Sequence, residues 1–105
     1  MTIPFVTSLP EGAYLLDVRE GHEWAAGHAP VATHIAMGEL PARLGELPRD
    51  QQVVAVCRGG GRSSRATKFL REQGIDAYNY HGGMKAWVAA GHPMESTTGA
   101  SPTVS

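Results

Sequence analysis

Val53-Val54-Ala55-Val56-Cys57-Arg58-Gly59-Gly60-Gly61-Arg62-Ser63-Ser64 is the stretch that decides the fold of this chain. Its first half is continuously apolar and rich in valine, the pattern of a strand covered on both faces, as in a parallel sheet. The chain's only cysteine follows, then an arginine and three consecutive glycines. The remainder opens a helix: over residues 63–73, Ala66, Phe69 and Leu70 recur at the spacing of one buried face, and Gly74 supplies a stop. This order predicts a strand, a loop and a helix, with Cys57 where the strand ends. Open α/β sheets bind ligands at the carboxyl ends of their strands.

Outward from this stretch the same alternation continues. Tyr14-Leu15-Leu16-Asp17-Val18 reads as a second buried strand, and residues 34–36, 75–80 and 3–6 as weaker ones. Residues 38–45 and 84–90 are further helix candidates, each flanked by Gly or Pro. The expectation is an α/β domain with a mainly parallel central sheet of four or five strands flanked by helices. Residues 1–94 would form the domain. Residues 95–105, rich in Ser and Thr with Val104 as the one large apolar residue, are expected to be a disordered tail.

The chain has 105 residues and 42% hydrophobic content, which suit one globular domain. A chain of this size buries roughly 60 to 70% of its unfolded surface, so neither disulfide nor metal is needed for stability. A single cysteine excludes an internal disulfide and fits a reducing, cytoplasmic setting. No run reaches the roughly 18 apolar residues of a spanning helix, and the first ten residues lack a basic signal region. The net charge of −1 gives no overall attraction to nucleic acid or membrane. Locally the balance differs, because Arg58, Arg62, Arg65, Lys68 and Arg71 follow Cys57 within a span ending at Glu72.

Glycines after a strand end let the backbone turn its N–H groups inward, forming an anion-binding nest beside a helix N-terminus. A sulfur held there by backbone donors, the helix dipole, Arg58 and Arg62 would favour its anion. A free Cys titrates near ~8.5, and such surroundings bring it to roughly 3.5 to 7.5. The candidate site is therefore Cys57 with Arg58, Gly59, Gly60, Gly61, Arg62 and Ser63. The competing reading is a buried packing thiol followed by an ordinary turn.

These residues resemble the rhodanese-like family, whose six-residue loop begins with a persulfide-carrying cysteine. Here that loop is Cys57 to Arg62. Leu15-Leu16-Asp17-Val18-Arg19-Glu20 with His22-Glu23-Trp24 and Gly27-His28 is similar to the family's first block. Tyr78-Asn79-Tyr80, Gly82-Gly83, Ala86-Trp87 and Gly91 to Pro93 are similar to its last. The sequence departs from the pattern at Ala29-Pro30-Val31-Ala32 and at His81, and leaves little room for the usual first helix.

The resemblance implies a three-layer rhodanese-like domain and a sulfurtransferase. Such an enzyme moves sulfane sulfur from thiosulfate or a persulfide to a thiol or cyanide-like acceptor through a Cys57 persulfide, without a cofactor or metal. A persulfide carrier or regulatory module serving a protein acceptor is the alternative. A phosphatase or arsenate reductase fits less well. Its loop needs five residues between Cys and Arg, whereas four separate Cys57 from Arg62 and Ser63 stands at the next position.

Asp17 and Arg19 end another expected strand and, by the resemblance, could reach the mouth of the site. The alternative is a structural ion pair, favoured for Asp17 because an acid beside a thiolate opposes its ionisation. His22, His28, His34, His81 and His92 show no metal-ligand spacing and are expected to be surface or packing residues. Trp24 and Trp87 are expected to pack on the sheet. Arg65, Lys68 and Arg71 should form a solvated helix face.

Overall fold

A computed structural model describes residues 2–105. Five strands form one sheet: β1 (Phe5–Val6), β2 (Tyr14–Asp17), β3 (Thr33–His34), β4 (Val53–Val56) and β5 (Ala77–Tyr80). Their spatial order is β1-β5-β4-β2-β3, and every pairing is parallel. The valine-rich strand is thus central, and all four of its residues are buried.

Because side chains alternate across a strand, β4 feeds two apolar layers. Val53, Ala55 and then Cys57 face the layer containing Ala66 and Leu70 of the long helix α2 (Gly61–Glu72). Val54 and Val56 face the opposite layer with Leu15, Tyr80 and, from helix α3 (Gly83–Ala89), Met84 and Trp87. This layering is the expected architecture. Helix α2 ends as the sequence requires, with Gly74 at φ +84°. The Ile75 N–H reaches the Leu70 carbonyl and the Gly74 N–H the Arg71 carbonyl, which together satisfy the last turn.

The single helix expected over residues 38–45 is instead two short 3₁₀ turns, Met37–Glu39 and Leu44–Glu46. Pro41 removes one amide donor between them, while Gly38 and Gly45 weaken the helix on either side. A six-residue helix α1 (Gly21–Ala26) follows β2, with the Glu20 N–H donating to the Glu23 carboxylate at 3.0 Å.

The segment expected to be a free tail lies against the domain. His28 and Glu95 exchange backbone hydrogen bonds of 2.9 Å each, and the N–H groups of Thr97 and Thr103 donate to the Ala25 and Ala26 carbonyls. Met94 and Val104 add apolar contact to the α3-side layer. The contacts of this segment are made largely by backbone groups. Among the described residues no helix is long and apolar enough to cross a membrane.

Candidate active site

Cys57 leaves the end of β4 with 1% of its surface exposed. Its Sγ accepts a hydrogen bond from the Gly60 N–H at 3.1 Å and another from the Ser63 hydroxyl at 3.2 Å. Burial pushes the thiol pKa up and is the largest single influence. The Ser63 hydroxyl and the N–H groups of Ser63, Gly60 and Arg62 outweigh it together, so the thiol titrates below its ordinary value.

The turn rests on one glycine. Gly60 has φ +110°, a conformation that a side chain resists, while Gly59 and Gly61 do not have positive φ. A Cβ on Gly59 or Gly61 would meet nothing within 4 Å, so the loop's outer side is open. The turn therefore needs one left-handed residue rather than three.

A second support comes from α3. The Met84 N–H donates to the Cys57 carbonyl at 2.8 Å and the Lys85 N–H to the Arg58 carbonyl at 3.2 Å. Gly83 permits this approach, since a Cβ there would stand 2.5 Å from the Arg58 oxygen and 2.6 Å from the Cys57 oxygen. Its φ of +64° adds a second reason for glycine. The Gly82-Gly83 pair in the sequence was the signal for this contact, but its partner lies 26 positions earlier in the chain, as Cys57 against Gly83.

The two loop arginines part company. Arg58 is exposed and has no ion-pair partner among the described residues. Arg62 instead makes a two-pronged contact with Glu23 on α1, at 2.6 and 2.8 Å. That bond holds the Glu23 carboxyl at about 2, well under its usual range, and pushes the Arg62 guanidinium further up. Arg62 still gains from the Cys57 charge, yet its hydrogen-bonding fork is directed at Glu23 and its help to sulfur comes through its N–H and its field. Glu23 was not singled out from sequence beyond its place in a family-like block.

Asp17 and Arg19 take the structural alternative. Strand parity places Asp17 on the face of Leu15, opposite the layer that contains Cys57. Both side chains are fully buried. Arg19 Nε and Nη2 donate to the Asp17 carboxylate at 2.8 to 3.1 Å, and Nη2 also donates to the Gly27 carbonyl at 2.7 Å. Neither group opens toward an incoming donor.

Several aromatic and histidine side chains pack on one another. Trp24 stacks on His28 at 3.6 Å and on His34 at 5.0 Å. His34 donates through Nε2 to the Arg19 carbonyl, and His28 through Nδ1 to the Trp24 carbonyl, both at 2.7 Å. Trp87 is buried beside Tyr80.

A second residue at the site, besides Glu23, was not singled out beyond its family-like block. Asn79, between two tyrosines of β5, accepts a hydrogen bond from the Ser63 hydroxyl at 2.6 Å. Asn79 pairs with Ala55 in register, so it shares the face of Ala55 and Cys57. A polar residue at alternate spacing from the buried Ala77 was the available signal.

Fold and site together define an all-parallel α/β domain whose buried thiol sits in an amide-lined loop at the end of the central strand. Comparison with known proteins narrows this: residues 6–90 match the Rhodanese-like domain family, and the chain belongs to that family. YtwF of Bacillus subtilis (strain 168) is 47% identical over 77 residues, covering 73% of this chain and 75% of that protein. Thiosulfate sulfurtransferase GlpE of Actinobacillus pleuropneumoniae serotype 7 (strain AP76) is 36% identical over 87 residues, covering 82% and 81%. The crystal structure of a rhodanese-related protein from Thermoplasma volcanium superposes with a TM-score of 0.77 at 30% identity, covering 81% of this chain and 85% of that one. Relatives named as sulfurtransferases support sulfurtransferase activity.

Proposed function

We propose that Cys57 carries sulfane sulfur as a persulfide, taking it from thiosulfate or a persulfide and passing it to a thiol or cyanide-like acceptor. One observation carries this reading: the only thiol is held by hydrogen-bond donors to its sulfur at the carboxyl end of the central strand. Such donors favour the nucleophilic anion before any substrate arrives.

With thiosulfate, the Cys57 thiolate attacks the outer sulfur. An S–S bond to Cys57 forms, the bond to the sulfonate sulfur breaks, and sulfite leaves with the electron pair. An acceptor thiolate or cyanide then attacks the outer sulfur of the persulfide, and Cys57 departs as the thiolate. The persulfide anion accepts the same kind of donors as the thiolate, so one cradle serves both stages. No second cysteine is present to resolve it, so the acceptor comes from outside the chain. A thiol that must stay reduced between turnovers suits a cytoplasmic setting.

Gly59, Gly60, Gly61, Arg62 and Ser63 form the anion-binding wall in this reading, with exposed Arg58 attracting anionic donors. Intact-mass measurement after incubation with thiosulfate tests it. The expected result is one added sulfur that dithiothreitol removes, absent from Cys57→Ser. An unmodified wild-type protein after thiosulfate and persulfide donors, or a Cys57→Ser variant with normal transfer, overturns the reading.

A further inference from the structure

The Ser63 hydroxyl has one proton and three acceptors within reach. These are the Asn79 amide oxygen at 2.6 Å, Cys57 Sγ at 3.2 Å and the Gly60 carbonyl at 3.3 Å. A single O–H cannot serve sulfur and amide equally, and the shortest contact goes to Asn79. The hydroxyl oxygen also has lone pairs, so it can accept from one neighbour while donating to another.

Asn79 is equipped to use both properties. Its carboxamide offers an acceptor oxygen on one side and a two-proton donor on the other, and a half turn about the terminal side-chain bond exchanges them. The Ser63 contact is the only hydrogen bond of its side chain among the described residues. The amide nitrogen lies toward Gly60, 3.7 Å from where a Cβ on that glycine would stand. No further partner therefore pins the amide in one orientation.

We propose that Asn79 is a positioning residue that acts on Cys57 through Ser63. It draws the hydroxyl proton to its oxygen beside a neutral thiol and, after a half turn, donates to Ser63 Oγ so that this proton points at anionic sulfur. No proton is transferred and no covalent bond changes. What changes is the direction of one O–H dipole, which follows the charge on sulfur. The persulfide part rests on the proposed function, since the same reversal would serve Cys57 as nucleophile, as persulfide and as leaving group. Charged groups around the loop are Arg62 with its partner Glu23, Glu20 beside Arg62, Arg58, and Lys85, whose N–H meets the Arg58 carbonyl; among the described residues none of them hydrogen-bonds the Asn79 side chain.

Thiolate absorbance against pH tests the coupling in wild type, Asn79→Asp, Ser63→Ala and the double variant, all reduced and without donor. An ionised Asp can only accept, so it holds the Ser63 proton away from sulfur. The expected result is a rise of about one unit in the Cys57 midpoint for Asn79→Asp, a tenfold change in ionisation constant. In the Ser63→Ala background that rise should shrink to less than half. A rise of equal size in both backgrounds would show a through-space charge effect and overturn the proposal. Absence of any rise would overturn it too.

Side-chain amide NMR signals of Asn79 provide a measurement that needs no change at residue 79. They should shift with the same midpoint as the thiolate in wild type, and lose that dependence in Ser63→Ala. Signals that are flat in wild type, or that move equally in both proteins, count against it. Because neither experiment uses a donor, failure of Cys57 to take up sulfur would end the persulfide reading without deciding this coupling.

Discussion

Two carboxylate–guanidinium forks differ in how deeply their guanidinium groups are buried, and they have different consequences. Asp17 and Arg19 are fully buried, bonded to each other and to the Gly27 carbonyl. Glu23 and Arg62 stand at the rim of the cysteine loop, where the guanidinium side chain keeps 30% of its exposure. The first pair fixes how β2 leaves the sheet. In the proposed function the second sets how much positive charge the loop shows to an incoming anion. Contact distance alone does not separate these roles, whereas the exposure of the guanidinium does.

The largest expected effect comes from breaking the interior fork. Arg19→Met leaves Asp17 buried without its cation, and should lower folding stability by about 3 to 5 kcal/mol in urea denaturation. Arg19 Nη1 has no hydrogen-bond partner, so the pair is itself incompletely satisfied. Replacing both members with Asp17→Leu and Arg19→Met should therefore cost less than the single change. If the double variant is the less stable, the fork is a net stabiliser and the contrast with the rim pair must be redrawn.

The C-terminal segment backs the interior fork through Gly27. A Cβ on Gly27 would meet the Thr103 backbone, although φ of 174° imposes no strain on a side chain there. Truncation after Met94 should lower stability by about 1 to 2 kcal/mol, from lost hydrogen bonds and the apolar contact of Val104. Gly27→Ala should produce a similar loss in the full chain and little further loss in the truncated one. Thermal melts of the four proteins check this. Unchanged melting on truncation would mean that the docked segment contributes nothing to folding.

At the rim, Glu23→Gln should cost about 1 to 2 kcal/mol in stability, because a buried carboxylate loses its charged hydrogen bonds to Arg62. Its clearer effect is on charge: with Arg62 released, KM for thiosulfate should fall relative to that for a neutral donor. Equal changes for both donors would show that Arg62 does not face the donor even when free.

The pH dependence follows from the same pair. The Glu23 carboxyl titrates at about 2 when folded, below its ordinary 4.5. Its contribution to stability is therefore complete above the ordinary value and is lost as pH falls toward 2. Acid unfolding should begin at higher pH in Arg62→Gln. For Cys57 the direction is also downward, so transfer should rise with pH through a midpoint below that of a free thiol.

Periodicity along the chain revealed the layers and the position of Cys57, because strand alternation and helix spacing are local. A mainly parallel sheet and the α2 stop at Gly74 followed from that reading, while the strand order and the single left-handed turn at Gly60 did not. Partnerships between distant segments did not. Arg62 was assigned to sulfur because it is near Cys57 in the chain, while its fork finds Glu23, 39 positions earlier, across the loop. Asp17 and Arg19 had a legible face, since Asp17 is one residue out of phase with Leu16 and Val18. Asn79 could have been found by the same parity count, carried from Ala55 across the register to β5.

The clamp of α3 on the cysteine loop bears on the energetics of ionisation. The carbonyls of Cys57 and Arg58 are engaged from below by Met84 and Lys85, while the Gly60 N–H faces sulfur from the other side. Peptide dipoles held at both ends have little freedom to reorient when the sulfur acquires charge. In water most of the cost of stabilising a new anion is the turning of solvent dipoles. Here those dipoles are already aligned by the folding of the chain, with α3 serving as the anvil against which the loop is set.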